Sequence, residues 1–111
     1  MTTATPLNLD KTFHLVICNS RTGAYAAERD LCDLDRATTV KDIAEGQFGG
    51  DIAAIIEFNP VEGTSRDATE DIASAVMTRW AGNGEPLSDW KLNFVESHIG
   101  IQAALSFRRA A

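Results

Sequence analysis

The sequence has little cysteine and no long hydrophobic run. Cys18 and Cys32 are the only cysteines in 111 residues, which is too few for a disulfide framework. No stretch approaches the ~18 apolar residues of a membrane helix. Residues 1–6 also lack the basic and apolar regions of a signal peptide. We therefore expect a cytoplasmic protein with reduced thiols and no membrane partner.

Basic residues are scarce as well. The chain has 10 Lys and Arg against 16 Asp and Glu, and its formal charge is −6. Affinity for nucleic acid depends on Lys and Arg displacing counterions, so direct binding of DNA or RNA is not expected, whereas a basic protein surface would be attracted. The apolar fraction of 44% is ordinary for a globular chain. We expect one domain over residues 10–111 after a flexible segment at residues 1–9.

Familiar catalytic and cofactor motifs are missing. The short glycine turns fit neither a dinucleotide fingerprint nor a phosphate-binding loop. His14 and Cys18 are four residues apart on a predicted strand, about 13 Å along it, too far to share one metal ion. Cys18 lies among apolar residues and Cys32 among carboxylates, and neither setting activates a thiol. We predict no metal, no cofactor and no catalytic residue, and lean towards a protein that is not an enzyme.

Two segments have the pattern of buried strands. They are residues 12–18 (TFHLVIC) and residues 51–58 (DIAAIIEF), the second ended by Asn59 and Pro60. Residues 24–31 are ambiguous, since their alanines favour helix while alternation and the preceding turn favour a hairpin strand. We favour a strand there. Residues 60–63 are predicted to be loop.

Three segments are predicted to be helical. The first lies within residues 33–46, with Thr38 or Thr39 as its N-cap or an earlier start near Asp35. The second covers residues 65–81, whose apolar residues recur at four-residue spacing. The third begins after an N-cap at Ser88. Gly100 leaves open whether residues 88–109 are one kinked helix or two.

These elements predict an α+β fold. The expected order is β-β-α-β-α-α, with a small three-stranded sheet and helices mainly on one of its faces. A right-handed crossover from the second strand through the first helix would make the third strand parallel, so the sheet could be mixed.

Two polar regions hold the candidate binding residues. One is the charged stretch at residues 28–36, where carboxylates could bind a cation or perform acid–base chemistry. The other is the loop at residues 57–64, which joins a strand to a helix. The simpler interpretation of the first region is a solvated connection with internal ion pairs. The predicted binding residues are Asp33, Asp35, Arg36, Glu57, Asn59 and Glu62.

Three functional hypotheses follow from this pattern. The leading one is a small acidic interaction or regulatory protein that binds a basic protein surface. The alternative is a ligand-binding protein or enzyme that uses the 28–36 cluster and the 57–64 loop, which requires a pocket uniting them. The third is a structural homo-oligomer, which requires an exposed apolar patch, for instance around Trp90 and Phe94. For Trp80 and Trp90 themselves we expect core packing.

Overall fold

The computed structural model describes residues 8–49, 51–84 and 87–100. It contains four strands, three helices and one 3₁₀ turn, so the predicted α+β class is confirmed. The flexible segment predicted at residues 1–9 falls mostly outside the described residues, and so does a helix continuing through residues 101–109. The elements are β1 (Phe13–Ser20), β2 (Gly23–Ala26), the 3₁₀ turn (Leu31–Asp33), α1 (Arg36–Ala44), β3 (Ile52–Asn59), β4 (Thr64–Asp67), α2 (Thr69–Asn83) and α3 (Asp89–His98).

The sheet is four-stranded and antiparallel, in the order β2-β1-β3-β4. The predicted three-stranded sheet and the parallel pair are therefore wrong. β2 pairs with one edge of β1 through a short hairpin, and α1 returns the chain to the opposite edge of β1. There β3 runs antiparallel to β1, with Val16 opposite Ile55 and His14 opposite Glu57.

The strand missing from the predicted order is β4. The Asn59 side-chain oxygen accepts hydrogen bonds from the backbone N–H groups of Val61 and Glu62, both at 3.0 Å. Gly63 has a positive φ of 68°, which is cheap without a Cβ, and completes the turn into β4. The chain therefore forms strand β4 at residues 64–67, where a helix was predicted from residue 65, and α2 begins only at Thr69.

The second strand and the first helix differ from prediction at their ends. β2 ends at Ala26, so only the first part of the ambiguous segment at residues 24–31 is strand. α1 begins at Arg36 with Asp35 as its N-cap, which matches the earlier start that the sequence left open. The Asp35 carboxylate accepts a hydrogen bond from the Thr38 backbone N–H at 3.0 Å. Ser88 precedes α3 as predicted, but its side chain makes no capping hydrogen bond.

The core lies between the helices and one face of the sheet. Trp80 is buried as predicted and donates a hydrogen bond from Nε1 to the Ala44 carbonyl at 3.0 Å. Trp90 is partly buried and packs edge-on against Trp80. Phe94 is buried, so the exposed apolar patch that the homo-oligomer hypothesis expected around Trp90 and Phe94 belongs mainly to the core. The cluster includes Val16, Cys18, Val40, Ile43, Ile55, Ile72, Val76, Trp80, Phe94 and Val95.

The opposite face of the sheet is also apolar. Its cross-strand pairs are Phe13 with Phe58, Leu15 with Ile56 and Ile17 with Ala54. The two phenylalanine rings stack with their centroids 5.5 Å apart. None of these six side chains belongs to the helix-side cluster. Among the described residues, no helix is long and apolar enough to cross a bilayer.

Candidate functional site: an acidic segment beside the sheet

Residues 28–35 connect β2 to α1, and we call them the acidic segment. Its one basic side chain, Arg29, turns inward and is only 7% exposed. Arg29 Nη1 donates to the His14 carbonyl at 3.3 Å. Its Nη2 donates to the Asp33 carbonyl, to Thr39 Oγ1 at 3.2 Å and to Asp42 Oδ2 at 3.3 Å. Arg29 thus attaches the segment to both β1 and α1.

The outer surface of the acidic segment carries carboxylates, the Leu31 side chain and the Cys32 thiol. Glu28, Asp30 and Asp35 are exposed, and Asp33 is partly exposed. Leu31 stands among them with 48% of its surface exposed. The sequence suggested internal ion pairs here. Instead, the single guanidinium pairs with a carboxylate of α1, so the acidic groups of the segment keep their charge on the surface.

The turn itself is held by backbone hydrogen bonds. The Asp33 N–H donates to the Asp30 carbonyl at 2.9 Å, and the Leu34 N–H donates to the Leu31 carbonyl at 3.3 Å. Leu34 is buried, and its carbonyl accepts a hydrogen bond from the His14 N–H at 2.7 Å. These bonds give Leu31 and its flanking carboxylates a defined position on the surface.

A chain of ion pairs joins the two regions predicted from the sequence. Arg66 donates from Nε and Nη2 to the two oxygens of Glu57, at 3.0 and 2.9 Å. Asp71 Oδ2 lies 3.5 Å from Arg66 Nη2, and Asp71 Oδ1 lies 3.3 Å from Arg36 Nη2. The hydrogen bonds from Arg66 are the main reason why the pKa of Glu57 is lowered. The charges in this chain alternate, so they largely cancel one another.

Only three of the six predicted binding residues line the cavity beside the β3–β4 hairpin. Glu57, Asn59 and Glu62 line a cavity of about 200 Å³ beside the β3–β4 hairpin. Neither Asp33 nor Arg36 lines that cavity, and Asp35 serves as the cap of α1. Asn59 also has a structural task, since its side chain holds the hairpin turn. The ligand-site hypothesis required a pocket uniting both regions, and this cavity does not provide it.

A second cavity was not predicted from the sequence. It has a volume of about 360 Å³ and is lined by residues of the edge strand β2 and of the loop after α1. Burial raises the pKa of the Cys18 thiol there, which keeps the sulfur protonated and a poor nucleophile. The lining residues come from separate parts of the chain, so no local motif signals them: Cys18, Tyr25, Ala27, Glu28, Arg29, Asp42, Gln47 and Phe48.

Within the described residues, potential metal ligands come together on the 3₁₀ turn. One donor atom each from Asp30, Cys32 and Asp33 lies within 4.8 Å of the others. All three are on one surface turn, and no histidine or buried carboxylate joins them. Exposed carboxylates are commonly grouped in this way without a bound ion, so this group alone does not define a metal site.

Comparison with protein-family models, with curated proteins and with solved structures finds no match for this chain.

Proposed function

We propose that this chain is an interaction module that binds a basic protein surface through its acidic segment. The observation that carries the proposal is the inward turn of Arg29, which removes the only positive charge of residues 28–35 from the surface. What remains outside is an exposed leucine in a segment with three exposed carboxylates, a partly exposed fourth and an exposed cysteine.

Such a surface has the two parts of a small protein interface. An apolar side chain that enters a pocket on the partner supplies most of the affinity, and charges around it steer and orient the encounter. The net charge of −6 adds a long-range attraction for basic surfaces and a repulsion for nucleic acid. The expected partner is therefore a protein with Lys or Arg around a small apolar pocket.

The test is affinity capture from the native host with matched charge variants. Glu28→Gln combined with Asp30→Asn removes two charges from the acidic segment and leaves the helix cap Asp35 intact. Glu70→Gln combined with Glu96→Gln removes two exposed charges from α2 and α3 and serves as the control. Captured proteins are identified by mass spectrometry and their affinity is measured between 50 and 500 mM salt.

We expect the acidic-segment variant to lose a partner that the control variant retains, and binding of that partner to weaken as salt rises. Equal retention by both variants, or binding that does not respond to salt, would contradict the proposal.

A second candidate function is the binding of a small molecule in the 360 Å³ cavity. It is supported by the convergence of a guanidinium, two carboxylates and an aromatic ring from Arg29, Glu28, Asp42 and Phe48. Native mass spectrometry of the protein purified from its host is the measurement. A bound metabolite that disappears in a Gln47→Ala variant would favour this function over protein binding.

A further inference from the structure

His14 is a buried ionisable residue with contacts on both sides of its ring. Its side chain is 2% exposed. Nδ1 lies 3.3 Å from the Leu34 carbonyl oxygen at the end of the acidic segment. On the other side, Nε2 lies 3.4 Å from Glu57 Oε2 but has no hydrogen-bond partner. The ring thus stands between the acidic segment and β3.

Both neighbours of the ring can only accept hydrogen bonds. Leu34 offers a carbonyl oxygen, and Glu57 offers an ionised carboxylate. A neutral imidazole has a single N–H, so it can donate a hydrogen bond to only one of these two acceptors. The lone pair of its other nitrogen then faces the second acceptor oxygen. A protonated imidazole has two N–H groups and can serve both.

The charges around His14 come from several elements. Glu57 on β3 faces the ring directly, with Arg66 of β4 on its far side and Asp71 of α2 behind that. Arg29 donates to the His14 carbonyl from the acidic segment. Arg66 holds the pKa of Glu57 below its ordinary value, so the carboxylate stays charged over the pH range in which imidazoles titrate.

We propose that protonation of His14 tightens the attachment of the acidic segment to the sheet and thereby regulates its binding of a partner. The His14 backbone already joins β1 to the segment, through its N–H to the Leu34 carbonyl and its carbonyl to Arg29, and the ring adds a contact from Nδ1 to the same Leu34 carbonyl. A segment held in place loses less conformational entropy on binding, so the protonated form is the better binder. The regulatory part rests on the function proposed above, whereas the tightening does not.

The tightening is tested without any partner, by hydrogen–deuterium exchange followed by NMR at pH 8 and pH 5.5, corrected for intrinsic exchange rates. The probes are the amides of Asp33 and Leu34, which close the turn. We expect their protection factors to rise about 3- to 10-fold on acidification, as one additional hydrogen bond predicts.

Two variants separate this mechanism from a general effect of pH. In Glu57→Gln the side-chain amide can donate to Nε2 of a neutral ring. The single ring N–H is then on Nδ1 and can donate to the Leu34 carbonyl, so the high protection should already be present at pH 8. His98→Gln alters the other histidine, whose Nε2 lies 3.0 Å from the Ile52 carbonyl, and should leave the pH response intact. Protection that does not change with pH in the wild type, or that changes equally in Glu57→Gln, would overturn the proposal.

Partner binding is then compared at the two pH values. If exchange responds to pH but affinity does not, the regulatory part fails and the tightening stands. If no partner binds the acidic segment at either pH, the proposed function fails instead.

Discussion

The acidic segment and the β3–β4 hairpin are both rich in charge, but they use it in opposite ways. In the hairpin, Glu57 and Arg66 face each other across neighbouring strands and neutralise one another at the surface. In the acidic segment, Arg29 lies beneath the surface and its carboxylate neighbours are left outside. Opposite charges that are adjacent in sequence therefore need not give a neutral surface, because the direction of each side chain decides which charge is exposed to solvent.

The difference also separates structural charge from charge that is available for binding. In the hairpin pair, the Arg66 side chain is 54% exposed and the Glu57 side chain 25%, and ion pairs open to solvent contribute little to stability. Arg29 is buried and satisfies acceptors on three elements, so its removal leaves polar groups without partners in the interior. Stability and binding should accordingly respond to different members of the acidic segment.

The largest expected effect is that of Arg29→Met. Methionine has a similar length but cannot donate, so Asp42 and two backbone carbonyls lose their partner. We expect the free energy of unfolding to fall by about 3 kcal/mol. Urea unfolding measures the loss. Arg66→Met in the hairpin is the matched control, and a loss as large as that of Arg29→Met would contradict the contrast between the two regions.

The next effect is that of Asp35→Ala at the start of α1. Loss of the N-cap should cost about 1 kcal/mol at pH 7, while Asp35→Ser should retain most of the stability because serine also caps helices. The hydrogen bonds from Thr38 lower the pKa of Asp35 below its ordinary 3.8. Its carboxylate therefore contributes fully above pH 3.8, and the contribution is lost as pH falls through the lower folded value. Urea unfolding at pH 7 and pH 2.5 should show the difference between wild type and Asp35→Ala shrinking in acid.

The strongest elements of the fold could be predicted from the sequence. β1 and β3 are apolar runs ended by turn residues, and α2 has a regular apolar face with Gly84 after it. β4 could not be predicted, because an edge strand exposed on both faces has a polar sequence, here TSRD, without apolar alternation. Its strand conformation comes from pairing with β3.

The candidate site shows the same limit. Composition and local charge density identified residues 28–36, but not which side chains point outward. The inward turn of Arg29 depends on acceptors supplied by β1 and α1, at positions up to 15 residues away. The contact between His14 and Glu57 depends on the register of β1 against β3, which a three-stranded sheet with a parallel pair would not have produced. Tertiary contacts decided both features.

A smaller effect is expected from the Glu57–Arg66 pair of the hairpin. A double-mutant cycle with Glu57→Gln and Arg66→Met should give a favourable coupling well below the Arg29 loss, and salt should reduce it. Arg66 lowers the pKa of Glu57 from its ordinary 4.5, so the coupling is fully present above that pH and lost as pH falls through the folded value. Urea unfolding of the four proteins at two salt concentrations measures it. A coupling that persists unchanged at 500 mM salt would indicate a buried pair.

The smallest effect on stability, with the largest on binding, is expected from Leu31→Ala. Because Leu31 is 48% exposed, its truncation should change the free energy of unfolding by less than about 0.5 kcal/mol. If Leu31 is the apolar anchor that the proposed function requires, its truncation should weaken binding of the captured partner about tenfold or more. Val61→Ala is the matched control, since Val61 is 61% exposed in the turn of the β3–β4 hairpin. Urea unfolding and titration calorimetry of the three proteins decide the point. If Val61→Ala weakens binding while Leu31→Ala does not, the partner binds the hairpin, and the charges of the acidic segment serve only solubility.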